Sequence, residues 1–211
     1  FGFSNQFGQA TALTVDFYRI EVDDRIYRTG DIQPQGPTGP TISFYTNALD
    51  IQSQGVDVVL TSGFDWSGDM NTDVTLALNY NKLEVVGQSP VGGVNPVSAA
   101  TIEDIENNYP ELRFVATANT YFAEDWNLLV RANYYGEHYD ERGTINGTAG
   151  NRSALIDQTI YFDAELGYDV SDSMRLVFGA TNIFDSYVDE IQNDGTFANR
   201  ISVGLPYPRR S

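Results

Sequence analysis

Residues able to do chemistry are few in this chain, and their spacing limits what each can do. The 211 residues include no Cys and one His, His138. That excludes disulfides, thiolate metal sites, cysteine nucleophiles and any histidine-rich metal centre. Asp69, Asn71 and Asp73 open like a calcium loop, D-x-N-x-D. Such a loop needs Gly at its sixth position and Glu at its twelfth, where this chain has Val74 and Tyr80. A hairpin turn is the better reading. His138, Asp140 and Ser153 have the residue types of a hydrolase triad, but nothing in their spacing fixes a geometry. Asn146-Gly147-Thr148 and Asn151-Arg152-Ser153 match the glycosylation sequon and read as polar loop. With no glycine-rich phosphate loop and no G-x-S-x-G elbow, neither an enzyme nor a resident cofactor is expected.

The charge balance narrows the partners. Lys+Arg total 12 against 29 Asp+Glu, a net charge of −17, and the only lysine is Lys82. Binding to nucleic acid rests on cations, so it is not expected. Hydrophobic residues make up 41% and charged ones 19%, which is not the composition of a disordered chain. The chain opens FGFSNQ, with no visible targeting leader. Its apolar runs are as short as VDVVL, far below the ~20 residues of a membrane helix. A membrane β-strand alternates and escapes that criterion.

The elements that position these residues read with period two. In 72–81 the even positions are Val74, Leu76, Leu78 and Tyr80, and Asp73, Thr75, Ala77, Asn79 and Asn81 alternate with them. In 126–135 Trp126, Leu128, Val130, Ala132 and Tyr134 oppose Asn127, Leu129, Arg131, Asn133 and Tyr135. In 159–169 Ile160, Phe162, Ala164, Leu166 and Tyr168 oppose Tyr161, Asp163, Glu165 and Asp169. Alternation puts successive side chains on opposite faces, so each segment is a strand with one apolar and one polar face. Seven long strands are expected, at roughly 10–29, 41–65, 72–87, 111–122, 126–140, 157–170 and 174–187. A short helix is expected over 98–107, with Thr101 and Asp104 at capping spacing, as a decoration of its loop.

Connection lengths alternate as well. Segments 66–71, 123–125 and 171–173 are tight polar turns, whereas 30–40, 87–110 and 141–156 are long and rich in Gly, Pro, Asn and Ser. All tight turns therefore lie at one end of the sheet and all long loops at the other. Outer-membrane barrels segregate their loops in this way. Trp126 and Tyr134 bracket an aliphatic middle, and Tyr80 and Tyr168 end similar rows. Eight steps of ~3.3 Å at a tilt of ~45° cover roughly 19 Å, close to the apolar band between aromatic girdles. The expected class is all-β, an antiparallel transmembrane barrel segment, with Arg131, Asp163 and Glu165 facing the lumen. If those three are cross-strand neighbours, Arg131 is placed to pair with the acids.

The order of phrases resembles TonB-dependent outer-membrane receptors. LTVDFYRIEVDDRI (13–26) looks like a late barrel strand of that family. TNALDIQSQGVDVVL (46–60) is similar to its Asn-Ala…Gly-Val-Glu strand, with Asp57 where Glu is usual. NNYPELRFVATANTYF (107–122) and WNLLVRANYYGEHYD (126–140) resemble its Pro-x-x-Arg and Arg-x-x-Tyr-Tyr-Gly strands. FDAELGYDVSDSMRLVFGATNIFDSY (162–187) looks like its penultimate hairpin, and GLPYPRRS (204–211) like the loop before the last strand. The family's plug domain, TonB-contacting box and closing strand have no counterpart. Residues 1–211 are thus expected to be one partial barrel domain, about the last third of a ~22-stranded plugged barrel. An open piece leaves two unpaired edges and is not expected to fold alone in water.

The resemblance implies a Gram-negative outer-membrane receptor that takes up a scarce small-molecule solute: an iron–siderophore complex first, else cobalamin or a saccharide. Its implied partners are membrane lipid, lipopolysaccharide and TonB, the last through the missing amino-terminal plug region. Tyr135, Tyr139, Arg142 and Tyr187 are substrate-contact candidates by position near loop ends. Two rival readings share part of this physics. One is a plugless porin-like barrel; the other is a secreted β-sandwich binding module, which needs a second layer over Leu76, Leu128 and Leu166.

Overall fold

The computed structural model describes residues 1–31, 33, 35–36, 38–66, 68–140 and 154–188. Arg142, Ser153, both sequons and the 204–211 phrase lie outside them. Eight strands form one antiparallel sheet in the order β1-β2-β3-β4-β5-β6-β9-β10. They are β1 Gly2–Phe7, β2 Thr11–Arg28, β3 Tyr45–Asp65, β4 Asn71–Gln88, β5 Leu112–Phe122, β6 Trp126–Tyr135, β9 Thr159–Ser171 and β10 Met174–Ala180. A separate hairpin pairs β7 His138–Asp140 with β8 Ala154–Ile156, and α1 Ala99–Asn107 lies between β4 and β5. The sheet is open, and among the described residues its only helix is α1.

Register makes the faces continuous. Leu13, Leu60 and Leu76 stand opposite one another across β2, β3 and β4. The row runs on through Ala116, Ala132 and Phe162 in β5, β6 and β9. Leu128 and Leu166 are 37% and 36% exposed and Phe178 75%, so among the described residues no second layer covers this apolar face. That excludes the β-sandwich, whose core would bury it. Aromatics border the face. Trp126 stacks on Tyr168 at 4.5 Å, and Phe64 meets Trp66 at 6.4 Å, at the tight-turn end. Phe17, Tyr80 and Tyr134 lie at the other.

Beyond Phe17 and Tyr80 the polarity inverts. The next outward row is Arg19, Gln54 and Lys82, and the one after it Glu21, Gln52 and Glu84. Within each strand the charges neutralise locally, Arg19 to Glu21 at 2.5 Å and Lys82 to Glu84 at 2.7 Å. The Glu84 hydrogen bond and charge hold the Lys82 amine above its ordinary pKa. On the inward side of the same extensions, Ile51, Leu83 and Val85 join Ala48, Leu49, Val97, Ile102 and Ile105 in the buried cluster. The helix is therefore structural. Its cap is Ser98, whose Oγ accepts from the Thr101 N–H at 3.1 Å; Thr101 itself lies inside the first turn.

That helix also solves an edge problem. β5 begins opposite Tyr80, so β4 beyond that point has no strand on its β5 side. Unpaired strand edges invite foreign pairing. Here the Glu111 carbonyl accepts from Asn81 N–H at 2.8 Å, and the Glu106 carboxylate from Val85 N–H at 2.8 Å.

Three boundaries differ from expectation. The sequence reading placed seven strands, but β1 adds an eighth, pairing Gly2–Phe7 with Thr11–Asp16. The last strand ends at Ala180 rather than 187, because Asn182 and Asp185 adopt left-handed backbone at φ 50° and 55°. Segment 126–140 divides at Gly136, after which β7 leaves the sheet for its own hairpin.

If the apolar face meets hydrocarbon, Val130→Arg, at the centre of its row, costs ~2–4 kcal/mol. Leu129→Arg, one residue away on the other face, carries no such penalty. Urea unfolding of the protein from lipid vesicles measures both.

Candidate functional site

The inward face of the sheet carries hydrogen-bonded polar side chains where a soluble protein would carry a core. Near the tight turns, Asn119 Nδ2 donates to the Tyr121 hydroxyl at 2.7 Å, and Asn127 Nδ2 to Asn119 Oδ1 at 3.1 Å. Arg175 donates to Asn127 Oδ1 and lies 3.8 Å from Asp169. One chain of polar contacts thus crosses β5, β6, β9 and β10. Gly167 makes room for it, since a Cβ there would stand 2.7 Å from Arg175 Nη2. On the same face, toward β2, β3 and β4, Asn79 Nδ2 donates to Asp57 Oδ1 at 2.6 Å, and Tyr18 lies across Gly55. A Cβ on Gly55 would press into the Tyr80 backbone carbonyl and come within 2.6 Å of the Tyr18 hydroxyl. That close approach is the physical reason for Gly in the Gly55-Val56-Asp57 phrase.

Arg131, Asp163 and Glu165 share this inward face, and Arg131 stands directly opposite Asp163. Register alone does not make an ion pair of them: the Arg131 side chain is exposed, and no Arg131–Asp163 or Arg131–Glu165 ion pair is formed. The buried Asp163, 8% exposed, instead accepts from Asn133 Nδ2 at 3.0 Å and from the Asn182 N–H at 2.9 Å. Asn182 closes its own turn in turn, its Oδ1 accepting from Ser186 N–H at 2.9 Å and its Nδ2 donating to Ser186 O at 2.8 Å. The Asn182-Ile183-Phe184-Asp185 phrase is therefore a pinned turn that clips the end of β10 to β9.

The other candidates occupy different surroundings. Tyr135 is buried at 6% exposure, edge-on to Tyr161 at 6.0 Å, with the Arg113 guanidinium 4.9 Å from its ring centre. It belongs to the wall's own packing. Tyr139 lines a recess of about 470 Å³ at the long-loop end, together with Tyr80, Tyr109, Tyr134, Glu111 and Glu137. Tyr187 is half-buried, its hydroxyl donating to Asp185. Asn119, Asn127 and Arg175 were not singled out from sequence. They stood among the polar positions of their strands, but linking them required the register.

Chemically this face offers amides, carboxylates and guanidinium groups to water or a hydrophilic solute. Among the described residues no group of three or more His, Asp and Glu is placed to hold a metal ion. A family profile described as TonB dependent receptor-like, beta-barrel, matches residues 1–183. No curated protein matches. Among solved structures, the outer membrane transporter YddB of Escherichia coli is 12% identical with a TM-score of 0.64, the match covering 94% of this chain and 29% of that one. The FrpB iron transporter of Neisseria meningitidis is 12% identical at 0.60, covering 88% and 26%. The ferripyoverdine receptor of Pseudomonas aeruginosa is 9% identical at 0.58, covering 87% and 22%. At such identities the likeness is one of fold, and the chain spans less than a third of each.

Removing the Asp163 carboxylate strands a buried amide and a backbone N–H. Asp163→Ala should cost ~1–3 kcal/mol. Asp163→Asn, which still accepts one hydrogen bond, should cost less. Denaturant midpoints of the refolded barrel check the order.

Proposed function

The chain belongs to the TonB-dependent receptor β-barrel family, and from that premise we propose that it forms part of the wall of an energised outer-membrane receptor for a scarce solute. The whole of residues 1–211 is barrel domain in this reading, contributing wall and outward loops. The apolar face meets lipid, and the polar ladder from Asp169 to Tyr121 lines the passage. TonB engages the receptor through a plug region that these residues do not form. Family members are transporters, and this chain moves its solute without chemical change.

The observation that carries the reading is the division of one sheet into two unlike faces, joined to the family match over 1–183. An uncovered apolar side and a hydrogen-bonded polar side on the same eight strands suit a membrane wall around a wet interior. A ferric chelate is the proposed substrate. Two of the similar structures are an iron transporter and a ferripyoverdine receptor. Of the contact candidates, Tyr139, in the recess at the long-loop end, and the exposed Arg131 on the polar face are the ones this reading keeps.

Radiolabelled iron uptake tests this in cells that express the whole receptor. Uptake of a ferric siderophore should fall to background when either the receptor or TonB is deleted. Uptake that persists without TonB would mark a passive porin instead.

A further inference from the structure

One guanidinium on the inward face has no carboxylate opposite it. Arg113, near the start of β5, stands between Asn79 of β4 and Tyr135 of β6. Its row lies one residue below Tyr80, which places it at the loop end of the polar face. Arg113 is exposed, yet it is held: its guanidinium lies 4.9 Å from the Tyr135 ring centre, and Nη2 donates to the Tyr135 hydroxyl at 3.5 Å. Tyr135 is itself fixed, buried and edge-on to the fully buried Tyr161. A guanidinium seated on a ring keeps most of its five N–H donors free. It also loses little further mobility when it takes a ligand.

Arg131, on the same face, has the opposite surroundings. Asp163 stands across from it and Glu165 lies on the diagonal, so two negative charges offset its pull on an anion. Arg113 has amides in the equivalent places, Asn79 across and Asn133 on the diagonal. The next carboxylate in its row is Asp57, a further strand away and roughly 10 Å off at ~4.8 Å per strand. That carboxylate already accepts from Asn79 Nδ2 at 2.6 Å. Glu111, two residues before Arg113, lines the recess beside Tyr80. Among the described residues Arg113 forms no ion pair. A carboxylate fits the guanidinium fork and takes two parallel hydrogen bonds from it. We propose that Arg113, seated on Tyr135, grips a carboxylate of the solute at the entrance to the passage. The inference rests on the transport reading above and narrows its ferric chelate to one that carries carboxylates at its periphery.

The test uses the isolated whole receptor, so TonB plays no part in it. Ala77→Cys places a thiol diagonal to Arg113 on the same face, in a background with no other reactive thiol. Its labelling rates with an anionic and a cationic methanethiosulfonate reagent report the local charge. The anion-to-cation rate ratio should fall about threefold in Arg113→Gln and be kept in Arg113→Lys. Citrate, the tricarboxylate probe, should slow labelling about threefold with Arg113 present and not at all in Arg113→Gln; its neutral triamide should not protect. Heat-modifiable gel mobility reports an intact barrel, and Arg113→Met serves if Arg113→Gln fails to fold. A ratio unchanged without Arg113, no protection by citrate, or equal protection by the triamide would overturn the proposal. So would a thiol that neither reagent reaches, which would give Arg113 to the plug region rather than the solute. Uptake that persists without TonB would sink the energised reading and leave these ratios as they are.

Discussion

Backbone hydrogen bonding is the constraint on which everything else here depends. Inside hydrocarbon a strand's N–H and C=O groups have no water to turn to, so each strand must lie beside another along its whole immersed length. The ladder from β1 to β10 is that solution, and it explains why the neighbouring strands from β2 to β9 stay in step for ten or more residues. Once the backbone is satisfied by neighbours, the side chains are left to meet two different solvents. The single sheet needs no second layer because the membrane takes its place.

The same constraint explains the exceptions. Where β4 outruns β5, helix α1 supplies acceptors and a greasy underside in place of a strand. Where β10 stops, Asn182 passes a backbone N–H to Asp163. Both features stand where the regular ladder fails. The polarity inversion above Tyr80 follows too: outside the membrane, water takes the outward face, and the only dry place left is the inward one beneath α1.

Much of this was legible in the sequence, because alternation is local. Positions 72–81, 126–135 and 159–169 declared their two faces without any knowledge of neighbours, and turn lengths declared the two ends. What alternation lacks is height. Arg131 and Asp163 shared a face as expected, and only the register set them opposite each other. Even then Asp163 was held by Asn133 and Asn182, whose involvement depends on a left-handed turn beyond the strand. Tyr135 looked like a rim residue from its place near a loop, yet Tyr161 and Arg113 bury it from neighbouring strands. The six-residue β1 alternates as well, with Phe3 and Phe7 on one face, but a run that short is fixed as a strand only by its pairing with β2.

The unequal reach of the strands also shapes the cell surface. β4 continues eight residues past Tyr80, roughly 26 Å of chain at ~3.3 Å per residue. β2 and β3 rise with it, while β5 and β6 stop near the girdle. Among these strands, β2 to β4 thus stand clear of the row marked by Phe17 and Tyr80, so whatever approaches that end of the sheet meets their extended flank before it meets the ends of β5 and β6.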